Sequence, residues 1–195
     1  MEDVVRTLES EDPWGFGVAT VEEGLRLRRA GVTIPVIVFS PVSPDSYDSA
    51  VAQDLTLTVS DLDSVERVAA AATRTGHIGR FHVEIDTGMG RSGFDWRRVA
   101  EWGPGLADRA SPASIWEGCY THFHSADLED DGPTRAQWES FNSALERLEP
   151  EKGSLIHTCN AAAAMRYPTF AADAVRPGIF LYGGCVGKGV APPEE

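Results

Sequence analysis

The sequence predicts an α/β protein, a (β/α)8 TIM-like barrel lacking its first strand, and three observations carry that prediction. Seven short apolar runs alternate with amphipathic helical stretches along the chain, a pattern that favours a parallel sheet. No glycine-rich phosphate fingerprint follows the first run, as a doubly wound nucleotide-binding sheet would ask. The residues able to do chemistry cluster just after four of the runs, which is where a barrel of this type carries its site. Eight strands are needed and seven are counted. Helical residues Asp3–Leu8 precede the first run, so the eighth strand is expected upstream of Met1.

The expected strands are Trp14–Ala19, Val36–Ser40, Leu55–Val59, Phe81–Asp86, Ile115–Phe123, Ser154–His157 and Ala174–Arg176. Between the first two, Thr20 followed by Glu23 is a capping box, each side chain able to satisfy an orphan amide of the first turn. That helix should stop at Gly31, where a left-handed terminator costs least. A second helix is expected from about Asp61 through Val68–Thr73 to Gly76. A third starts near Asp95, and Gly103-Pro104-Gly105 predicts a break in it. A fourth covers about Pro133 to Leu148. Losing one strand from a closed barrel would leave edges at Trp14–Ala19 and Ala174–Arg176.

Composition narrows the function classes. At 195 residues and 42% hydrophobic, the chain can bury one sizeable core, expected over 1–186 with 187–195 as a tail. Thirty acidic against 17 basic residues give a net charge of -13, which repels phosphate backbones and argues against nucleic acid. No apolar run is long enough to span a bilayer, and Met1–Ser10 is too polar for a secretory signal. Cys119, Cys159 and Cys185 lack CxxC spacing, so neither a disulfide framework nor a zinc knuckle is expected, and the chain reads as cytoplasmic.

The chemistry-bearing segments follow. Glu84-Ile85-Asp86-Thr87-Gly88-Met89-Gly90-Arg91-Ser92-Gly93-Phe94 is a tight turn that presents an arginine, suited to an anion or a phenolate or simply a structural corner. In Tyr120-Thr121-His122-Phe123-His124-Ser125-Ala126-Asp127, two histidines two apart would share a face on a strand. They could then ligate a metal with Asp127 or His157, or His122 could pack flat on an aromatic ligand, or both could bond within the loop. His157-Thr158-Cys159-Asn160 and Val175-Arg176-Pro177-Gly178-Ile179 complete the set, with Gly178 and Ile179 able to offer backbone amides to a phosphate.

In this order, "IDTGMGR…G", "THFHSAD", "HTCNAA" and "VRPGIFLYG" resemble the alanine racemases, pyridoxal-phosphate enzymes of barrel type. "ATVEEGLRLRRAG" and "PVIVFS" fit the same family, and the resemblance spans about Trp14 to Gly183. It implies interconversion of L- and D-alanine for cell-wall (peptidoglycan) synthesis by a homodimer acting on a small amino acid. It implies that Arg91 is catalytic, facing the cofactor's phenolic oxygen and the substrate carboxylate. His122 would stack on the pyridine ring, Arg176 would bond the ring nitrogen, and His157 would brace Arg176. Asn160 would join the cofactor-binding group, and Gly178 and Ile179 would hold the phosphate. A guanidinium facing the ring nitrogen keeps it unprotonated, which weakens the electron sink and suits racemisation.

The chain also departs from that family. Its motif for the cofactor-anchoring lysine is absent, and the only lysines are Lys152, between a helix and a strand, and Lys188, in the tail. The family's C-terminal β-domain, source of the second-base tyrosine, is not expected in these residues, and Tyr182 is not its counterpart. Glu84 stands where a lysine often orients Arg91, and Ala161 where a serine often binds phosphate. These departures predict a chain inactive alone. Two alternatives stand beside it: a non-catalytic pyridoxal-phosphate-binding barrel, and a metal-dependent hydrolase using His122, His124 and Asp127.

Overall fold

The computed structural model describes residues 2–187 and 190. The strands are β1 (Phe16–Val18), β2 (Val36–Val38), β3 (Thr56–Val59), β4 (Gly79–Asp86), β5 (Phe94–Asp95), β6 (Ser114–Tyr120), β7 (Leu155–Asn160) and β8 (Ala174–Arg176). All seven predicted runs are strands, and the two-residue β5 is an addition that pairs only with β4. The order is β1-β2-β3-β4-β6-β7-β8, without a reversal. β1 with β2, β2 with β3, β6 with β7 and β7 with β8 run parallel. An unreversed parallel order with helical crossovers is the barrel-type arrangement, since a doubly wound sheet changes direction at a switch point. β1 and β8 end the order, as the strand count predicted.

The helices are α1 (Glu2–Glu9), α2 (Val21–Arg29), α3 (Tyr47–Ala52), α4 (Leu62–Thr75), α5 (Val99–Arg109), α6 (Gly132–Leu148) and α7 (Ala161–Arg166). Thr20 and Glu23 form the predicted capping box on α2. Asp61 and Ser64 form a second on α4, which ends on left-handed Gly76. The predicted break at Gly103-Pro104-Gly105 does not occur, and α5 runs through Pro104. Proline forfeits one backbone bond there, while Trp102 fixes the helix start: its ring stacks on Phe94 at 4.4 Å and its indole N–H donates to Asp95 O at 2.9 Å. The six-residue helices α3 and α7 carry too short a pattern to have been read.

The chain divides into two compact units, 1–82 with 105–116 and 83–104 with 117–195. In the first, Val36, Val38, Leu57, Val59, Val65, Val68 and Phe81 are buried. β2 and β3 are buried at every position, as strands covered on both faces must be. Arg28 of α2 ties this unit together: Nη1 donates to Val32 O (2.9 Å) and Ile34 O (2.7 Å), Nε to Gln53 O (3.0 Å) and Nη2 to Asp54 O (2.8 Å). All four carbonyls belong to the segments entering β2 and β3.

The second unit packs Phe123, Cys159, Ala163, Tyr167 and Phe170 together. Trp138 and Tyr167 both stack on Phe170, at 4.7 and 5.2 Å. Among the described residues the cysteines are free thiols, Cys119 and Cys159 buried and Cys185 exposed. No helix of the described residues is long and apolar enough to cross a membrane.

Candidate active site

Every residue singled out from the sequence as a site candidate lies in the second unit, after or at the end of β4, β6, β7 or β8 except His157, which lies within β7. The turn after β4 is organised by Asp86. Its carboxylate accepts from the amides of Gly88 (2.9 Å) and Gly90 (3.1 Å), bending the chain back so that Phe94 pairs with Ile85. Gly93 is obligatory here. Its φ is +114°, and a β-carbon would sit 2.7 Å from the Asp86 nitrogen and 3.1 Å from Glu84 Cγ. Arg91 stands exposed on this turn, and Glu84 of β4 is buried.

Arg176, the last residue of β8, is the centre of the site. Its Nη1 donates to His157 Nδ1 (2.6 Å) and His157 O (3.0 Å), and its Nη2 to Thr121 O (2.8 Å) and Thr158 O (3.0 Å). A guanidinium can only donate, so His157 carries its proton on Nε2. The His157 ring stacks on Tyr120 at 4.9 Å, and the guanidinium lies 5.2 Å over the same Tyr120 ring. Burial pushes Arg176 down to about 10, against the opposing pull of Tyr120, Cys159 and Glu84, so it stays protonated at neutral pH. Both Nη nitrogens are engaged by protein acceptors.

β6 ends at Tyr120, so His122 and His124 lie in the loop and the same-face expectation for a strand does not apply. His122 is partly buried. Burial first, then the charges of Arg176 and Arg91, push its imidazole down to about 4, leaving a neutral ring between two cations at pH 7. His124 is exposed and its Nδ1 is bonded to the Ser125 hydroxyl. Among the described residues no three His, Cys, Asp or Glu side chains are placed to hold a metal ion, so the hydrolase alternative finds no ligand set.

Asn160 uses both ends of its amide inside the protein. Its oxygen caps α7 by accepting from Ala163 N (3.0 Å), and its nitrogen donates to Phe123 O (3.2 Å). It thereby fixes the path of the loop after β6. Gly178 and Ile179 open a 3-10 turn over Gly178–Tyr182, with Gly178 at φ +48°. Amides at the start of such a turn have no carbonyl of their own turn to meet. Lys152 lies in the turn before β7, at the end of that strand away from Asn160, and Lys188 lies outside the described residues.

Sequence reasoning missed three contributors. These are Tyr120, which lies inside a motif but carries no recognisable chemistry of its own there, Gln137, and the Thr87–Thr121 pair. Thr87 and Thr121 bond through their buried hydroxyls at 2.7 Å. Gln137 is a buried polar residue on an otherwise amphipathic helix, and its position on the inner face was the available signal.

Taken together, the donor set of two arginines, a neutral imidazole and turn-start amides fits a planar, anionic, phosphate-bearing heterocycle. The model of the family described as "Alanine racemase, N-terminal domain" matches residues 1–186. The chain is similar to an alanine racemase of Desulforamulus reducens, 40% identical over 175 residues that cover 86% of this chain and 46% of that protein. Among solved structures, an alanine racemase of Clostridium difficile 630 matches with a TM-score of 0.90 and 29% identity, over 97% of this chain and 50% of that one. A histidine racemase of Leuconostoc mesenteroides subsp. sake matches at 0.81 and 25%, over 94% and 49%. The chain thus spans about half the length of the relatives it matches.

Proposed function

The chain belongs to the family of the alanine racemase N-terminal domain, and on that premise we propose that it serves the interconversion of L- and D-alanine by binding pyridoxal phosphate and the substrate carboxylate. The observation that carries the reading is the Arg176–His157 pair on Tyr120, with neutral His122 beside it. Pyridoxal phosphate, when bound, supplies the electron sink that acidifies the α-hydrogen of an amino acid. The chain's own residues do the rest. Arg176 presents a fixed positive edge to the ring nitrogen and keeps it unprotonated. His122, neutral, offers an apolar face for stacking and no competing proton. Gly178 and Ile179 direct amides at the phosphate, and Asn160 keeps the loop after β6 in place. Arg91, exposed on the Asp86 turn, meets the carboxylate of the incoming amino acid.

None of these groups is a base able to take the α-hydrogen at neutral pH, and Lys152 is at the wrong end of β7. These residues therefore bind and orient. A cytoplasmic homodimer supplying D-alanine to cell-wall synthesis is the setting proposed for the activity. The test is a titration of the 195-residue chain with pyridoxal phosphate, followed by absorbance and by mass after borohydride reduction. Saturable binding without a covalent adduct, lost in Arg176→Ala, is expected, with no D-alanine formed from L-alanine. No binding by the folded chain would sink the proposal. An adduct on Lys152 would overturn the assignment of roles.

A further inference from the structure

We infer that Gln137 of α6 is a positioning residue, one that sets where His122 and Arg91 stand by holding both of their loops at once; the inference rests on the reading of the site given above. The Gln137 side chain is 2% exposed. Its Nε2 donates to Thr87 Oγ1 (3.2 Å) and to His122 O (3.0 Å), and its Oε1 accepts from His124 N (3.0 Å). These three bonds fix the amide's orientation, since a flipped amide would oppose oxygen to the His122 carbonyl and nitrogen to the His124 N–H. Thr87 is the first residue after β4, so one side chain spans the Asp86–Arg91 turn and the His122–His124 loop.

A second feature supports the same role. Gly88, at φ +145°, adopts a backbone conformation that favours glycine, and Gln137 Cγ lies 3.4 Å from where its β-carbon would stand, an ordinary packing distance. The turn that carries Arg91 thus packs against this glutamine as well as being bonded to it. Because Thr87 accepts from Gln137, its own hydroxyl hydrogen can go to Thr121, the residue before His122. Thr121 O in turn accepts from Arg176. The chain of bonds therefore runs from Gln137 through Thr87 and Thr121 to the central arginine. The burial of His122, and its nearness to Arg176 and Arg91, depend on the path of this loop, which makes its imidazole the natural reporter.

The experiment is an NMR titration of the histidine side chains in the whole chain without cofactor, paired with pyridoxal phosphate binding. In the unaltered protein His122 should titrate near 4. In Gln137→Met, close in shape and unable to bond, it should move towards the ordinary value of about 6.5. Affinity for pyridoxal phosphate should fall roughly tenfold, the loss expected when buried bonds to a site loop are removed. Gln137→Asn, which keeps the amide but shortens its reach, should shift His122 in the same direction and serves as the variant to read where the methionine form does not fold. A folded variant with His122 still near 4 overturns the inference. Failure of the unaltered chain to bind pyridoxal phosphate, with the His122 shift present, would instead overturn only the proposed function.

Discussion

Arg28 and Arg176 are each gripped by four acceptors, yet one is set among the segments entering strands and the other where strands finish. Arg28 meets backbone carbonyls alone, at Val32, Ile34, Gln53 and Asp54. Burial lowers its affinity for the proton and Asp54 opposes that. Arg176 meets three carbonyls and one imidazole, and lies over an aromatic ring. Carbonyls make a fixed clamp. An imidazole stacked on a phenol makes a contact whose strength depends on tautomer and protonation, and that is the end of the strands where chemistry is found. The same residue type thus does structural work in the first unit and presents charge in the second.

The largest expected effect tests the structural half. Arg28→Ala removes four hydrogen bonds and should lower stability by about 4 kcal/mol, read by urea denaturation. Pyridoxal phosphate affinity of the protein that remains folded should not change; a loss of affinity would break the contrast. Acid comes next. His122 has a native value near 4 against about 6.5 unfolded, so between those limits the unfolded chain binds the extra proton. Its contribution to stability is complete above pH 6.5 and is lost as pH falls to 4, by up to about 3 kcal/mol. Denaturation across that window in the unaltered chain and in His122→Gln should differ in slope, and parallel curves would remove His122 from the account.

A smaller effect is expected from Arg176→Lys. The charge remains but the planar fork does not, so cofactor affinity should fall by about 2 kcal/mol, roughly thirtyfold, with little change in fold. Equal loss of stability and affinity would make Arg176 a second Arg28. The smallest is Thr20→Ala, which removes the N-cap of the helix bearing Arg28. It should cost about 1 kcal/mol of stability and nothing in binding, as thermal melts with and without cofactor would show.

The strands were legible because each is a short apolar run bounded by polar residues, and Thr20, Gly31 and Gly76 because helix ends are written within four residues. The misread Pro104 shows the opposite case, a local breaker overruled by the packing of Trp102 on Phe94. The site divides the same way. Its motifs could be read from the sequence, since each lies within a dozen residues. The bonds that assemble them could not: Gln137 meets Thr87 across 50 positions, and Thr87 meets Thr121 across 34. Contacts of that span leave no periodic trace in a sequence.

Gln137 grips main-chain atoms at 122 and 124, and neither bond depends on which side chains those positions carry. Mutations at these two sites therefore change what the loop displays without moving its track. A lineage can sample new side chains over a constant backbone, one substitution at a time, and keep a folded protein at every step. The glutamine would fix the track, and the ligand that the loop meets would decide which side chains the track must carry.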